Sequence, residues 1–459
     1  MRYELITWGL VVALSGTVGA AEQPPNIVIF LADDLGWGDL GCYGHPVIQT
    51  PHLDAFARQG TKLTQCYAAS AVCSPSRSAI LTGRTPYRNG VFTWIQQGAE
   101  VHLRTSELAL PKLLRQQGYD TCHVGKWHLN GKFNDPAQPQ PNDHGYNWWL
   151  ATQNNASPSH KNPMNFVRNG RPVGPLEGYS AILVVKEALQ WLREHRDRNK
   201  PFFLAVWTHE PHLPIETDPQ FQKLYAQLPD PDQRQHHGNI TQLDHAFGLL
   251  LQGLDELKLT DNTFIVFTSD NGPEGGGTKG RTRGSTGGLK GRKRALYEGG
   301  IRVPGIVRWP GRIPAGRVCE VPVIGTDLFP TLLRIAGAPI PKDRTLDGVD
   351  ISPLLTGQAT AVERPIPLFW RLDMAPYGLH LALRRDNWKL LASRDFSKFE
   401  LYNLKADPRE TTDLCEREPK IFAAMRQELA QLNAQVEAEG PDWWKRLNPN
   451  GGGPPQKKK

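Results

Sequence analysis

The chain has 459 residues, enough for about three domains by the usual length relation or for one large α/β unit with a smaller companion. Hydrophobic residues make up 39%, and 44 glycines with 38 prolines stay below the level of low-complexity chains, which excludes a disordered, fibrous or multi-span membrane protein. With 53 basic against 46 acidic residues the net charge is +7, an excess that says little about partners until its location is known.

At the N-terminus, Arg2 precedes an apolar stretch from Leu5 to Leu14, and small residues lead to Ala20 and Ala21. This pattern reads as a signal peptide over residues 1–21, with Val18-Gly19-Ala20 or Gly19-Ala20-Ala21 as the cleavage site. A bilayer span needs about 18 or more apolar residues, and no later stretch supplies them. The mature protein is therefore expected to be exported, periplasmic or extracellular, or lysosomal or secreted in a eukaryotic host. Six cysteines (Cys42, Cys66, Cys73, Cys122, Cys319 and Cys415) are too few for a disulfide scaffold and lack zinc-type CxxC pairing.

Asn26–Leu31 is a short β-branched apolar run, as expected for a strand buried on both faces. Similar runs recur at Thr121–Val124, Phe202–Trp207, Phe264–Thr268 and Gly305–Arg308. Helical periodicity separates them at Ser180–His195, Ile240–Leu257 and Asp327–Ala336. The alternation predicts an α/β fold with a large, mostly parallel sheet covered by helices on both faces. In such sheets chemistry gathers at the carboxyl ends of the strands.

After Glu363 the pattern changes to short strand-like runs at Leu379–Arg385, Trp388–Ser393 and Phe399–Leu401, then a helix near Lys420–Glu437. This predicts a smaller C-terminal subdomain of antiparallel sheet plus helix over 363–447, after a main unit over 22–362. The Gly/Pro-rich basic end, 448–459, reads as a disordered tail. Asn155-Ala156-Ser157 and Asn239-Ile240-Thr241 fit glycosylation sequons, which matter only in a eukaryotic host.

The polar residues at the strand ends point to a site. Asp33-Asp34 follows the first strand, and Ser269-Asp270-Asn271-Gly272 follows the Phe264–Thr268 strand. Each alone could be a solvated turn or an Asx turn. Together Asp33, Asp34, Asp270 and Asn271 offer four oxygen-bearing side chains, a set for a hard divalent ion such as Ca²⁺ or Mg²⁺ and not for zinc. Gly125-Lys126-Trp127-His128 and Thr208-His209-Glu210-Pro211-His212 add basic groups at two more strand ends. A lone histidine or lysine there is usually structural, but a metal beside several cations describes a receptor for a tetrahedral oxyanion.

The segment Cys73-Ser74-Pro75-Ser76-Arg77 leads to Thr82-Gly83-Arg84. With the acid pair, GKWH, THxPH, SDNG and YEGG in the same order, it resembles the type I sulfatases of the alkaline-phosphatase-like superfamily, over nearly all of the mature chain from Asn26 to about Asp413. Arylsulfatase-like and N-acetylgalactosamine-6-sulfatase-like members are similar, without fixing the sugar or the ester position. The resemblance implies a sulfuric ester hydrolase in which Cys73 is oxidised to Cα-formylglycine by a maturation enzyme. The aldehyde hydrate carries two hydroxyls on one carbon: one attacks sulfur, and deprotonation of the other ejects sulfate and regenerates the aldehyde.

It also implies roles residue by residue. Asp33, Asp34, Asp270 and Asn271 match the Ca²⁺ ligands, with position 73 completing the shell. Arg77, one helical turn after Cys73, would reach the hydrate and the carboxylates; Lys126 matches a sulfate-binding lysine. His128 matches the histidine that deprotonates the hemiacetal, and His209 the general acid near the leaving oxygen. Counting back from Glu298 of YEGG gives Lys293 as the second sulfate-binding lysine, with Lys290 as runner-up, and His212 is a further substrate-binding candidate.

The basic run Lys279–Arg294, within an insertion over Gly275–Gly288, is expected to attract a polyanion, and Trp148-Trp149 with the polar loop Thr152–His160 are candidate walls for a sugar chain. The expected partner is a sulfated carbohydrate, such as a glycosaminoglycan or algal-type fragment, with no nucleic acid and no membrane span. A phosphomonoester or phosphonate hydrolase of the same superfamily, or a non-catalytic polyanion-binding protein, are the alternatives.

Overall fold

The computed structural model describes residues 24–275 and 282–440. The signal peptide expected at 1–21, the 448–459 tail, and Lys279 and Arg281 of the basic run lie outside these residues.

The apolar run at the N-terminal end forms the strand Asn26–Ala32, with all seven residues buried. It sits at the centre of a ten-stranded sheet. Thr263–Ser269 and Phe202–Trp207 pair with it in parallel on either side, and Asp120–Lys126 and then Trp148–Thr152 continue the parallel order outward. Gly305–Arg308, grouped with these by its apolar run, instead pairs antiparallel with Thr263–Ser269.

Side chains alternate across a strand, so the central one feeds two cores. Ile27, Ile29 and Leu31 face a core shared with Ile80, Leu81 and Phe329 of helices Cys73–Thr82 and Leu328–Ile335. Val28, Phe30 and Ala32 face another, packed on Val184 and Phe247 of helices Ser180–Gln190 and Pro231–Glu256. Full burial of each large apolar side chain contributes about 1.5–3 kcal/mol, which explains why an uninterrupted apolar run, not an alternating one, marks these strands.

Helix Pro231–Glu256 starts nine residues before the predicted Ile240. Its first turns bury His236, His237 and Asn239, so polar residues hide the apolar stripe there, and the Asp230 carboxylate caps the helix by accepting the Asp232 N–H at 2.9 Å. Asn239 is fully buried, which removes it as a glycan acceptor. None of the six cysteines is in a disulfide.

A separate four-stranded antiparallel sheet runs Leu368–Arg371, Leu381–Arg385, Trp388–Ala392 and Phe399–Asn403, followed by helix Pro419–Glu439. Its first strand was not foreseen, being four residues long and preceded by Pro365 and Pro367. A buried ion cluster pins this sheet to the rest. Lys389 Nζ lies 2.9 Å from Glu298 and 2.8 Å from Glu410, and all three side chains are fully buried. Burial would raise the Glu298 carboxyl, but Lys389, Arg302 and Arg384 hold it below its ordinary value, while burial pushes Glu410 up to about 7.

Removing one member of a buried charge cluster strands its partners. Lys389→Met is expected to destabilise the fold by about 3–5 kcal/mol, read as a lower urea midpoint. A loss of less than about 1 kcal/mol would show that the cluster does not hold the sheet in place.

Candidate active site

Five adjacent parallel strands deliver polar residues to one rim of the sheet. Lys126 and Thr152 are the last residues of their strands, Asp33-Asp34 and Asp270-Asn271 follow Ala32 and Ser269, and His209 lies just beyond Trp207. The turn after the central strand is held on both sides. Asp33 N–H donates to the Glu210 carbonyl at 3.0 Å, and Leu35 N–H to Ser269 Oγ at 2.9 Å. Asp34 takes φ 65°, which reverses the chain and brings its carboxylate back over the sheet.

Cys73 opens helix Cys73–Thr82, every residue of which is buried, and is itself 3% exposed. One donor atom each from Asp33, Asp34, Cys73 and His212 lie within 4.8 Å of one another. Asp270 Oδ1 accepts Asp34 N–H at 3.2 Å, and Asn271 Nδ2 donates to Asp34 Oδ1 at 2.6 Å. Asp33, Asp34 and Cys73 therefore cluster with His212, and Asp270 and Asn271 adjoin them through hydrogen bonds to Asp34.

Cations stand among the acids. Arg77 Nε and Nη2 donate to Asp270 Oδ2 at 2.9 and 2.7 Å, with Asp33 Oδ2 at 3.6 Å, and Nη1 holds the Lys126 carbonyl at 3.0 Å. The Arg77 guanidinium also packs 5.3 Å from the Trp207 ring centroid, a contact that sequence reading missed. Lys126 Nζ bonds Asp33 at 2.5 Å; Lys293 Nζ bonds Asp34 at 2.7 Å and Glu274 at 3.3 Å.

Burial works against every carboxylate here, and the cations decide which stay ionised. Burial would raise Asp33, but Lys126, His212, Arg77 and Lys293 hold it well below its ordinary value. Burial raises Asp34 despite Lys293, and burial with the Asp33 charge lifts Asp270 to about 6. Glu274, against burial, is brought to about 2 by Lys293 and Arg294. Burial pushes the Cys73 thiol up to about 12, so an unmodified cysteine there is no nucleophile at neutral pH.

The histidines are set in defined tautomers. The Ile95 carbonyl can only accept, so His128 Nε2, 2.9 Å away, carries the proton and donates. Nδ1 is then a bare lone pair, buried and without a partner, and burial with Lys126 and Arg77 keeps the ring neutral. His209 Nε2 lies 2.8 Å from Thr152 Oγ1, whose own hydrogen goes to the Asn154 carbonyl at 2.7 Å. Nε2 must therefore donate, leaving Nδ1 as the unpartnered nitrogen; burial and the neighbouring His160 and Lys126 lower its pKa. His212 Nδ1 donates to the Leu213 carbonyl, so its Nε2 lone pair faces Asp34 Oδ2 across 3.6 Å. Two acceptors at that separation, with Asp33 Oδ1 and Asn271 Oδ1 buried and unpartnered, leave a donor set short of a cation.

Some expectations fail. Lys290 is not in the site: its ammonium rests 4.0 Å from the Tyr297 ring centroid and bonds Tyr402 Oη and the Glu410 carbonyl. Trp149 is buried core, and Trp148, at the amino end of its strand, bonds Glu187, on the far rim from the acids. Neither is a wall for a sugar. The described arginines of the basic run are partnered as well: Arg283 pairs with Asp230 and Asp232, Arg294 with Glu274, and Arg292 donates to the Glu274 carbonyl. Glu274, which orders three of these groups, was missed because Pro-Glu in a glycine-rich loop carries no periodic signal.

A covered parallel sheet with acids, cations and neutral histidines along one rim defines a hydrolase of the alkaline-phosphatase-like type. The sulfatase family model matches residues 25–338, and that of the C-terminal region of N-sulphoglucosamine sulphohydrolase matches 291–435. N-acetylgalactosamine-6-sulfatase of Canis lupus familiaris is 36% identical, over 83% of this chain and 77% of the relative. Arylsulfatase A of Homo sapiens is 32% identical, over 94% and 91%. The structure of Ps i-CgsB in complex with k-i-k-neocarrahexaose superposes with a TM-score of 0.81 at 27% identity, covering 91% of this chain and 94% of that one. The chain belongs to the sulfatase family and is a sulfuric ester hydrolase.

Gly125 lets the strand carry Lys126 into this site. Its φ is 104°, and a Cβ there would stand 1.9 Å from the Trp207 carbonyl oxygen, a backbone atom that cannot move aside. Gly125→Ala is expected to lose at least about 2 kcal/mol of stability and more activity than that loss explains, because Lys126 shifts off Asp33. Unchanged thermal midpoint and kcat/KM would contradict this.

Proposed function

We propose that the enzyme removes sulfate from a sulfated carbohydrate after export, with Cys73 converted to formylglycine and one Ca²⁺ held by Asp33, Asp34, Asp270 and Asn271. The observation that carries this is the placement of the Cys73 side chain, on a fully buried helix, against the Asp33 and Asp34 carboxylates. An all-oxygen set with unpartnered Asp33 Oδ1 and Asn271 Oδ1 fits a hard cation. The chemistry such an ion supplies when bound is charge neutralisation at sulfate oxygens and a lower pKa for the attacking hydroxyl.

The chain's own residues do the rest. Arg77 fixes Asp270 and Asp33 so that the carboxylates cannot swing apart. Lys126 and Lys293 bring charge to the point where sulfate oxygens would lie. His128 Nδ1, bare and neutral, takes the proton from the second hydroxyl at position 73. His209, with Nε2–H held by Thr152, would act as general acid from the imidazolium, giving an Nδ1 proton to the leaving oxygen. His212 is placed to touch the sulfate or the ion beside Asp34. The carbohydrate nature of the substrate is supported by the names of similar proteins, an N-acetylgalactosamine-6-sulfatase and a protein crystallised with a neocarrahexaose.

Mass spectrometry of the peptide bearing Cys73 from active material should show a loss of about 18 Da; active protein with an intact thiol there would overturn the assignment. Cys73→Ala should abolish turnover at an unchanged thermal midpoint. Chelation with EGTA should abolish turnover and lower the midpoint, with Ca²⁺ at a hundredfold excess over its Kd returning about 2.7 kcal/mol.

A further inference from the structure

A cavity of about 880 Å³ opens beside the two catalytic histidines. Its wall and the histidines share the same backbone. Trp94 and Gln96 flank Ile95, whose carbonyl holds His128 Nε2. Gln153 accepts the His128 N–H at 2.7 Å through its carbonyl, and Asn154 accepts the Thr152 hydroxyl that positions His209. The volume is at the upper end of the range of about 300–1,000 Å³ for small-ligand sites, which suits more than one sugar ring.

Its chemistry is that of amides and aromatic faces. Gln96 and Gln97 are exposed, and their side chains make no hydrogen bond among the described residues. Half-buried Trp94 and Phe133 offer ring faces for the apolar side of a pyranose. Positive charge is spent elsewhere. Lys132, the one cation in the lining among the described residues, sits 2.6 Å from Glu100, and Asp135 adds a negative charge. The free amides of Gln96 and Gln97 can each both donate and accept. A hydroxyl or acetamido group finds complements here. A carboxylate or second sulfate would meet no unpaired cation among the described residues of this lining to offset its lost hydration, and Asp135 would repel it.

We infer that this cavity binds uncharged sugar units next to the sulfated one, which selects a sparsely sulfated, uronate-free oligosaccharide over a dense polyanion. The inference rests on the sulfate-ester reading above and adds the identity of the neighbouring sugars.

The test compares three substrates: para-nitrophenyl sulfate, and two matched trisaccharides with the sulfated hexosamine at the non-reducing end, followed by galactose or by glucuronate. The galactose trisaccharide should exceed the glucuronate one in kcat/KM by about tenfold or more, equivalent to about 1.4 kcal/mol. Trp94→Ala should lower the ratio of kcat/KM on the galactose trisaccharide to that on the aryl sulfate by about tenfold. The double variant Gln96→Ala, Gln97→Ala, at exposed positions that do not affect folding, should lower it in the same direction. Equal or better use of the glucuronate trisaccharide, or an unchanged ratio in both variants, would overturn the inference. Wild-type protein inactive on all three substrates would defeat the sulfate-ester reading and this inference with it.

Discussion

Three carboxylates emerging from two neighbouring strands, all cut off from water, would repel each other and the fold unless positive charge stood between them. Arg77, Lys126 and Lys293 supply it, from a helix, a strand end and a loop that are distant in sequence. Each cation reaches the acids only if its own element is docked, so assembly of the site and docking of these elements are the same event. Removing any one of these buried charges strands the others.

The same economy appears in the hydrogen bonding of the imidazoles. A carbonyl or a committed hydroxyl takes one nitrogen of each of His128, His209 and His212, and the other nitrogen is thereby directed and left bare. The accepting partners decide which nitrogen carries the proton, while burial, with the neighbouring charges, keeps the three rings neutral.

Much of this was legible in the sequence. The strands showed because burial on both faces demands uninterrupted Ile, Val, Leu and Phe, and the acids showed because polar pairs stood at the ends of those runs. Asp33, Asp34, Cys73, Arg77, Lys126, Asp270, Asn271 and Lys293 converge as expected. What misled was chemistry without periodicity. Counting back from Glu298 favoured Lys293 over Lys290, and the packing of Lys290 on Tyr297 and of Lys293 on Asp34 separates the two. Paired tryptophans read equally as a wall or as core, because alternation alone does not say which rim of a strand they occupy. The start of helix Pro231–Glu256 was hidden by buried histidines, which a hydrophobicity pattern scores as surface.

The burial of the helix that begins at Cys73 has a bearing on biosynthesis. Its sulfur is enclosed on every side, without a disulfide to release it, and the ten residues that follow from it are enclosed too. A catalyst that rewrites this side chain needs the segment extended in its own cleft, which the finished molecule cannot offer. The conversion proposed for Cys73 would then have to precede closure of the polypeptide around this helix.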